Sequence, residues 1–169
     1  MTCAIIAHYC TCCGDTFASE IGILSKSKPF LITSPWRSVP HGTNGGISTF
    51  GTVFSGIGGL LIGLFTFVID HVFTGMENDN VPLFFAQMTL YSSLCGLIGS
   101  FFDSILGATL QATYYDEDKK LVYCEKKDAP VSAKHICGIN FLSNAQVNLF
   151  SVLGTTLLGG FFLAPMIFT

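Results

Sequence analysis

The sequence predicts an all-α protein: a polytopic transmembrane helical bundle with three full spans and a partial helix at its N-terminus. Three observations carry that expectation. Half of the 169 residues are hydrophobic and only 11% are Asp, Glu, Lys or Arg, against roughly 25% in an ordinary soluble domain. Mean hydropathy is +0.57. The apolar residues gather in three long runs, each sufficient for the roughly 20 residues that a bilayer crossing requires. The same numbers exclude a disordered chain. With 8 basic residues, 11 acidic ones and a net charge of −3, no basic face is left for nucleic acid.

The elements follow in order. Residues 1–13 (MTCAIIAHYCTCC) are apolar but too short to span. No Lys or Arg precedes them, and Gly14-Asp15-Thr16 follows where a signal peptide would have a small-residue cleavage site. Residues 1–24 therefore read as the last turns of a transmembrane helix whose beginning is absent, closed by a GDTFASE motif. Residues 25–46 form a loop. The first full span covers 47–73 and is uncharged until Asp70; the second covers 82–110, with Asp103 as its one charge. A second loop, 111–146, mixes both charge signs around a candidate hairpin at Leu121-Val122-Tyr123. The last span covers 147–168 and has no charge. Together these make residues 1–169 a single integral membrane domain.

Orientation follows from the basic residues, which favour the cytosolic side of a membrane. Lys26, Lys28 and Arg37 lie in the first loop, and Lys119, Lys120, Lys126, Lys127 and Lys134 in the second; these are all eight. The connection at 74–81 has none, but carries Glu77 and Asp79. Both long loops are thus expected in the cytosol and the acidic turn outside. Seven cysteines, an odd number divided between membrane segments and a reducing compartment, make no disulfide framework. Cys10-x-Cys12-Cys13 lacks a second pair at zinc spacing. Gly51, Gly59, Gly63, Gly96 and the glycines between 154 and 160 read as helix-packing notches. Trp36, Tyr91, Tyr114 and Tyr115 read as interfacial anchors or packing.

Polar clusters converge on the cytosolic end of this topology. The stub ends in Asp15, Ser19 and Glu20. Asp103 lies seven residues before Leu110, about 10 Å down a helix, among Gly99, Ser100, Ser104 and Gly107, and Gln111 closes the segment. Asn140, Asn144 and Asn148 recur every four residues, one helix face. The turn Gly42-Thr43-Asn44-Gly45-Gly46 feeds directly into a helix N-terminus, whose N–H groups and partial positive charge suit an anion. Carboxylates hold Mg²⁺ through one or two ligands and leave water and phosphate oxygens to complete the shell. The expected site is therefore Asp15, Glu20 and Asp103 around Mg²⁺, with residues 42–46 on phosphate, Lys26, Lys28 and Arg37 adding charge, and Asn144 and Asn148 adding hydrogen bonds. His41 and His135 flank these motifs as further phosphate contacts. No Walker A motif is present, and Ser19 and Ser104 have no His at triad spacing.

The segments CGDTFASEIGILSKSKP, VPHGTNGGIS, DSILGATLQ and VNLFS resemble the transmembrane protein 19 family, integral membrane proteins whose wider membership includes plant phytyl-phosphate kinase. The resemblance runs from Cys12 to about Ser151. It implies a multi-pass helical protein that phosphorylates an isoprenoid monophosphate with a nucleoside triphosphate, embedded in an endomembrane with the motifs facing the cytosol. It also implies further N-terminal helices, since family members are about twice as long; those helices or an oligomer partner would complete the working unit. The family's marked residues fall at Gly14, Asp15, Ser19 and Glu20, at residues 42–46, and at Asp103, Gly107 and Gln111. At 142–146 the family has an Asp where this sequence has Ser143. Two other classes are open to the same residues. A transporter or channel would use Asp103 and the glycine-rich helix start for passage, and a non-catalytic structural protein would use the polar residues to knit the bundle.

Overall fold

The computed structural model describes residues 2–73 and 80–168; the acidic turn with Glu77 and Asp79 lies outside the described residues. The chain is helical with two small sheets. Helix α1 is Thr2–Gly22, α2 Thr49–Phe73, α3 Val81–Leu110 and α4 Asn144–Leu158, which runs through a π-helical turn (Gly159–Leu163) into α5, Ala164–Ile167. Among the described residues three helical stretches are long and apolar enough to cross a membrane: Thr49–Phe73, Val81–Leu110 and Asn144–Ile167.

Glycine decides where the helices meet. Helix α1 packs against α2, α3 and α4. A Cβ added at Gly14 would stand 2.8 Å from the Gly96 Cα and 2.8 Å from the Ser55 carbonyl oxygen; one at Gly58 would stand 2.8 Å from the Cys13 carbonyl oxygen. Backbone therefore touches backbone where α1, α2 and α3 cross. In lipid, where burial gives helices little reason to associate, such close van der Waals packing is what holds them together. Away from these contacts the helices present Phe65, Phe73, Leu149, Phe161 and Met166 outward, as a lipid-facing perimeter requires.

The far end of the bundle is closed by Tyr91, fully buried, whose hydroxyl donates to the Cys3 carbonyl at 2.7 Å. Pro165 cannot supply a backbone N–H to the helix, and the turn before it widens so that Ala164 N–H donates to the Gly159 carbonyl. That turn lays Gly159 against Ala7 and the Tyr91 hydroxyl.

The two loops expected at 25–46 and 111–146 each fold into a three-stranded antiparallel sheet. The first orders β2 (Ser34–Ser38), β1 (Phe30–Leu31) and β3 (Gly46–Ile47); the second orders β5 (Leu121–Tyr123), β4 (Thr113–Asp116) and β6 (Lys134–Cys137). The expected hairpin is the β4–β5 pair, with Tyr115 opposite Val122. Both sheets sit at the end of the bundle where α1 and α3 finish and α2 and α4 begin. The segment after β6 satisfies carbonyls that α3 leaves open at its C-terminus: Ile139 N–H donates to Thr109 O at 2.9 Å, and Leu142 N–H to Leu110 O at 2.9 Å. Ser143 is the N-cap of α4, its N–H bonded to Gln146 Oε1 at 2.9 Å. Trp36 on β2 is 86% exposed, a position suited to the membrane interface.

Candidate functional site

A cleft of about 230 Å³ opens at the sheet end of the bundle. Four segments line it: α1 with Asp15 and Ser19; the turn from His41 to Ser48 and on to Thr52 and Ser55 of α2; α3 with Ser100, Phe101, Asp103 and Ser104; and α4 with Asn144 and Asn148. Residues up to 133 positions apart in sequence thus share one cavity.

The glycine turn is pinned from several sides. Thr43 donates through N–H and hydroxyl to the Pro40 carbonyl at 3.3 and 2.7 Å, Gly46 N–H donates to Thr43 O at 2.9 Å, and Asn44 N–H donates to Thr113 Oγ1 at 3.3 Å. Gly42 and Gly45 hold φ of +83° and +71°, a region costing other residues about 1–2 kcal/mol. The turn does not run straight into α2 as expected: β3 intervenes, and Ser48 then caps the helix, accepting from Gly51 N–H at 3.0 Å.

These contacts predict unequal effects for two similar substitutions. At Gly45 a Cβ would collide with Ala108 and the Ser104 carbonyl, so Gly45→Ala combines strain with overpacking and is expected to destabilise by roughly 2–4 kcal/mol. At Gly42 it would meet only Val122, at 4.0 Å, leaving strain alone, about 1–2 kcal/mol. Thermal unfolding in detergent should rank Gly45→Ala well below Gly42→Ala; equal midpoints would contradict the packing account.

The carboxylates sit deeper. Asp15 lies beside Ser100 and near enough to Asp103 for their charges to interact. Asp103 Oδ2 accepts from the Ser151 hydroxyl at 3.4 Å. Amide nitrogen and oxygen are told apart by the partners each can satisfy; set with its nitrogen toward the acceptors it faces, Asn148 donates to Asp103 Oδ2 at 3.0 Å and to the Asn144 carbonyl at 3.1 Å. Gln111 is buried and does not line the cleft; its Nε2 donates to Asn144 Oδ1 at 3.2 Å.

Several expected members stand elsewhere. Glu20 is exposed and outside the cleft lining, because α1 continues through Gly22 and five residues carry a side chain about 140° around a helix. The three-carboxylate set is therefore not assembled: among the described residues no group of three His, Cys, Asp or Glu side chains stands within reach of one metal ion. Lys26, Lys28 and Arg37 are exposed strand-end and loop residues that do not line the cleft, so His41 is the basic side chain in its wall. His135 is turned away, its Nε2 2.7 Å from the Gly138 carbonyl oxygen. Burial pushes the Cys124 and Cys137 thiols up from their ordinary range, away from the thiolate form that reacts.

Sequence reasoning missed the hydroxyls. Ser48, Thr52 and Ser55 line the cleft along one face of the start of α2; their spacing of four and three was the available signal. Ser151, one turn beyond Asn148, was legible only once α3 and α4 were known to be neighbours.

The residues present fit a hard cation. Apart from the His41 imidazole, the side chains that could ligate are oxygen donors, two carboxylates with amide carbonyls and hydroxyls and no thiolate, and a set of this kind binds Mg²⁺ through one or two carboxylates and completes its shell with water and phosphate.

Comparison with known proteins agrees with this architecture. A family model described as "Integral membrane protein DUF92" matches residues 1–156. Protein PGR of Arabidopsis thaliana is 40% identical over 154 residues, 91% of this chain and 52% of PGR. The "Uncharacterized membrane protein MJ0933" of Methanocaldococcus jannaschii is 37% identical over 97 residues, 57% of this chain and 35% of that protein. The "Uncharacterized membrane protein sll0875" of Synechocystis is 31% identical over 107 residues, 63% of this chain and 36% of that protein. The chain thus spans about half the length of PGR and about a third of the other two. No solved structure matches it.

Proposed function

The chain belongs to the integral membrane protein family DUF92, and on that premise we propose that its cleft is a membrane-surface phosphoryl-transfer site, acting on an isoprenoid monophosphate with a nucleoside triphosphate as donor. One observation carries the reading: Asp15, Asp103, the 42–46 turn and the Asn144–Asn148 face come from four separate segments into one cleft. The cleft is not wholly polar. Ile23 and Phe101 line it and are also exposed on the bundle's flank, at 54% and 42%, a place where a prenyl chain can lie while its phosphate reaches the polar end.

The chemistry asks little covalent work of the protein. The terminal phosphorus of the donor forms a bond to an oxygen of the lipid monophosphate as its bond to the bridging oxygen of the nucleoside diphosphate breaks. The products are a lipid diphosphate and a nucleoside diphosphate. The attacking oxygen belongs to a phosphate that is already ionised near neutral pH, so no strong base is needed, and the cleft's lack of Lys and its two carboxylates are consistent with that. Such a transfer rests on positioning and on neutralising charge. Asp15 and Asp103 would hold Mg²⁺, which when bound supplies that neutralisation. Gly42 and Gly45 would present backbone N–H groups that the turn does not use on itself. The positive-inside tendency supports a cytosolic face, since all eight basic residues lie in the two segments that carry the sheets, and nucleotide is available there.

The test uses membranes containing the chain, farnesyl or geranylgeranyl monophosphate, Mg²⁺ and a nucleoside triphosphate. Lipid diphosphate should accumulate and should cease to form when nucleotide is omitted or Mg²⁺ is chelated. Product formed equally without nucleotide, or none in the complete mixture, would sink the proposal.

A further inference from the structure

Two asparagines one turn apart on α4 line the cleft, and their amides are committed in opposite senses. Asn144 Oδ1 accepts from Gln111 Nε2 at 3.2 Å. Set with its nitrogen toward the acceptors it faces, Asn148 donates to Asp103 Oδ2 at 3.0 Å and to the Asn144 backbone carbonyl at 3.1 Å. A primary amide has two N–H donors and one carbonyl oxygen. With its oxygen turned to Gln111, Asn144, a cleft residue, keeps its N–H groups for another partner. With both N–H groups taken, Asn148 offers only its oxygen. The same bonds engage Oδ2 of Asp103, itself a cleft residue, with Asn148 and Ser151 and do not involve Oδ1.

We infer that these asparagines have opposite ligand roles: Asn144 donates to a phosphate oxygen, whereas Asn148 presents its carbonyl oxygen, beside Asp103, to a divalent cation. Gln111 is the positioning residue that sets the sense of Asn144. It is held for that purpose. The residue is 2% exposed, caps α3 in an extended conformation, and its carbonyl lies against Gly138 at φ +71°, where a Cβ would collide with it. The side chain therefore reaches α4 from a fixed backbone. A sequence reading that gives both asparagines the same hydrogen-bonding role misses this, because the difference lies in what each amide has already bonded. The inference rests on the phosphoryl-transfer reading and divides its site into a cation half and an anion half.

The experiment uses the full chain in detergent or nanodiscs and reads binding rather than turnover. Mn²⁺, a paramagnetic stand-in for Mg²⁺, is titrated by electron paramagnetic resonance; pyrophosphate is then titrated at saturating Mn²⁺ by calorimetry. Asn148→Leu is expected to weaken Mn²⁺ binding by about tenfold or more. Asn144→Leu should leave Mn²⁺ affinity within about twofold and weaken pyrophosphate about tenfold, the value of a lost hydrogen bond to a charged group. Gln111→Glu separates positioning from packing. A carboxylate at 111 can only accept, so Asn144 must turn its nitrogen toward it and its oxygen toward the cleft; pyrophosphate affinity should fall while Mn²⁺ affinity holds or rises. Undiminished Mn²⁺ binding in Asn148→Leu, undiminished pyrophosphate binding in Asn144→Leu, or parallel loss of both ligands in every variant would overturn the assignment while leaving the phosphoryl-transfer site standing. A wild-type chain that binds neither ligand would instead remove the site itself, and this inference with it.

Discussion

Asp103→Asn and Asp15→Asn are each expected to reduce phosphoryl transfer by about 10²–10³-fold, the usual loss when one group that neutralises transition-state charge is removed, without loss of the folded chain. The second half of that expectation is the informative half. A carboxylate within a helical bundle is costly to keep, and Asp15 and Asp103 lie near enough to oppose one another electrostatically. Asparagine has nearly the same shape and still accepts hydrogen bonds through Oδ1. Ser100 beside Asp15 and Ser151 beside Asp103 therefore keep a partner. Removing one charge relieves repulsion, so both variants should unfold at the wild-type temperature or above it. Activity and stability then move in opposite directions, the pattern of residues retained for function against their effect on folding. If the carboxylates served only to knit the bundle, Asn variants would retain the activity of the wild type, and full activity in both would end the metal role. Double replacement should cost little more than the worse single one, because the two act on one cation and their effects do not add.

The spans were legible because composition and run length point to them: three runs of this length with so little charge suit a bilayer better than a soluble core. Convergence of the site was legible for a related reason. Once spans alternate, the ends of helices far apart in sequence must share a membrane face, and Asp15, Gly42–Gly46, Asp103 and Asn144 all lie within about two helical turns of such ends. The sheets were not legible. Strands of two to five residues, such as Phe30–Leu31 and Ser34–Ser38, are too short to show alternation, and their pairing is set by contacts with the helix ends beneath them. Angular position was the second gap. Counting residues brings Glu20 to the correct surface, but only the continuation of α1 past it fixes which side of the helix it occupies. Gln111 shows a third: it lies outside the cleft and acts through Asn144, a link between a helix end and a helix start that no spacing within either segment records.

Gly14→Ala is expected to be damaging although it adds only one methyl group, because what it meets is backbone. Most glycine substitutions in helices should help, since alanine is favoured over glycine by about 0.5–1 kcal/mol in a helix interior. Gly56 meets that rule: its Cβ would stand 3.5–3.7 Å from Leu97 side-chain atoms, an ordinary contact, so Gly56→Ala should be neutral or slightly stabilising. At Gly14 the obstructing atoms are the Gly96 Cα and the Ser55 carbonyl, each 2.8 Å away, and backbone cannot rotate aside. Relief requires α1 to move off α2 and α3 together. Overpacking of this kind costs about 1–3 kcal/mol, enough to reverse the helix-propensity gain and lower the unfolding midpoint in detergent. Function should fall with it for a geometric reason. Asp15 is the next residue, and its place beside Ser100 and Asp103 is set by how closely α1 lies against α3. Asp15→Asn should therefore lose activity with stability intact, whereas Gly14→Ala should lose both, and Mn²⁺ affinity should drop although no ligand has been altered. A Gly14→Ala chain as stable as the Gly56→Ala control would mean that the crossing is looser than drawn and that Asp15 is positioned by something other than the contact beneath it.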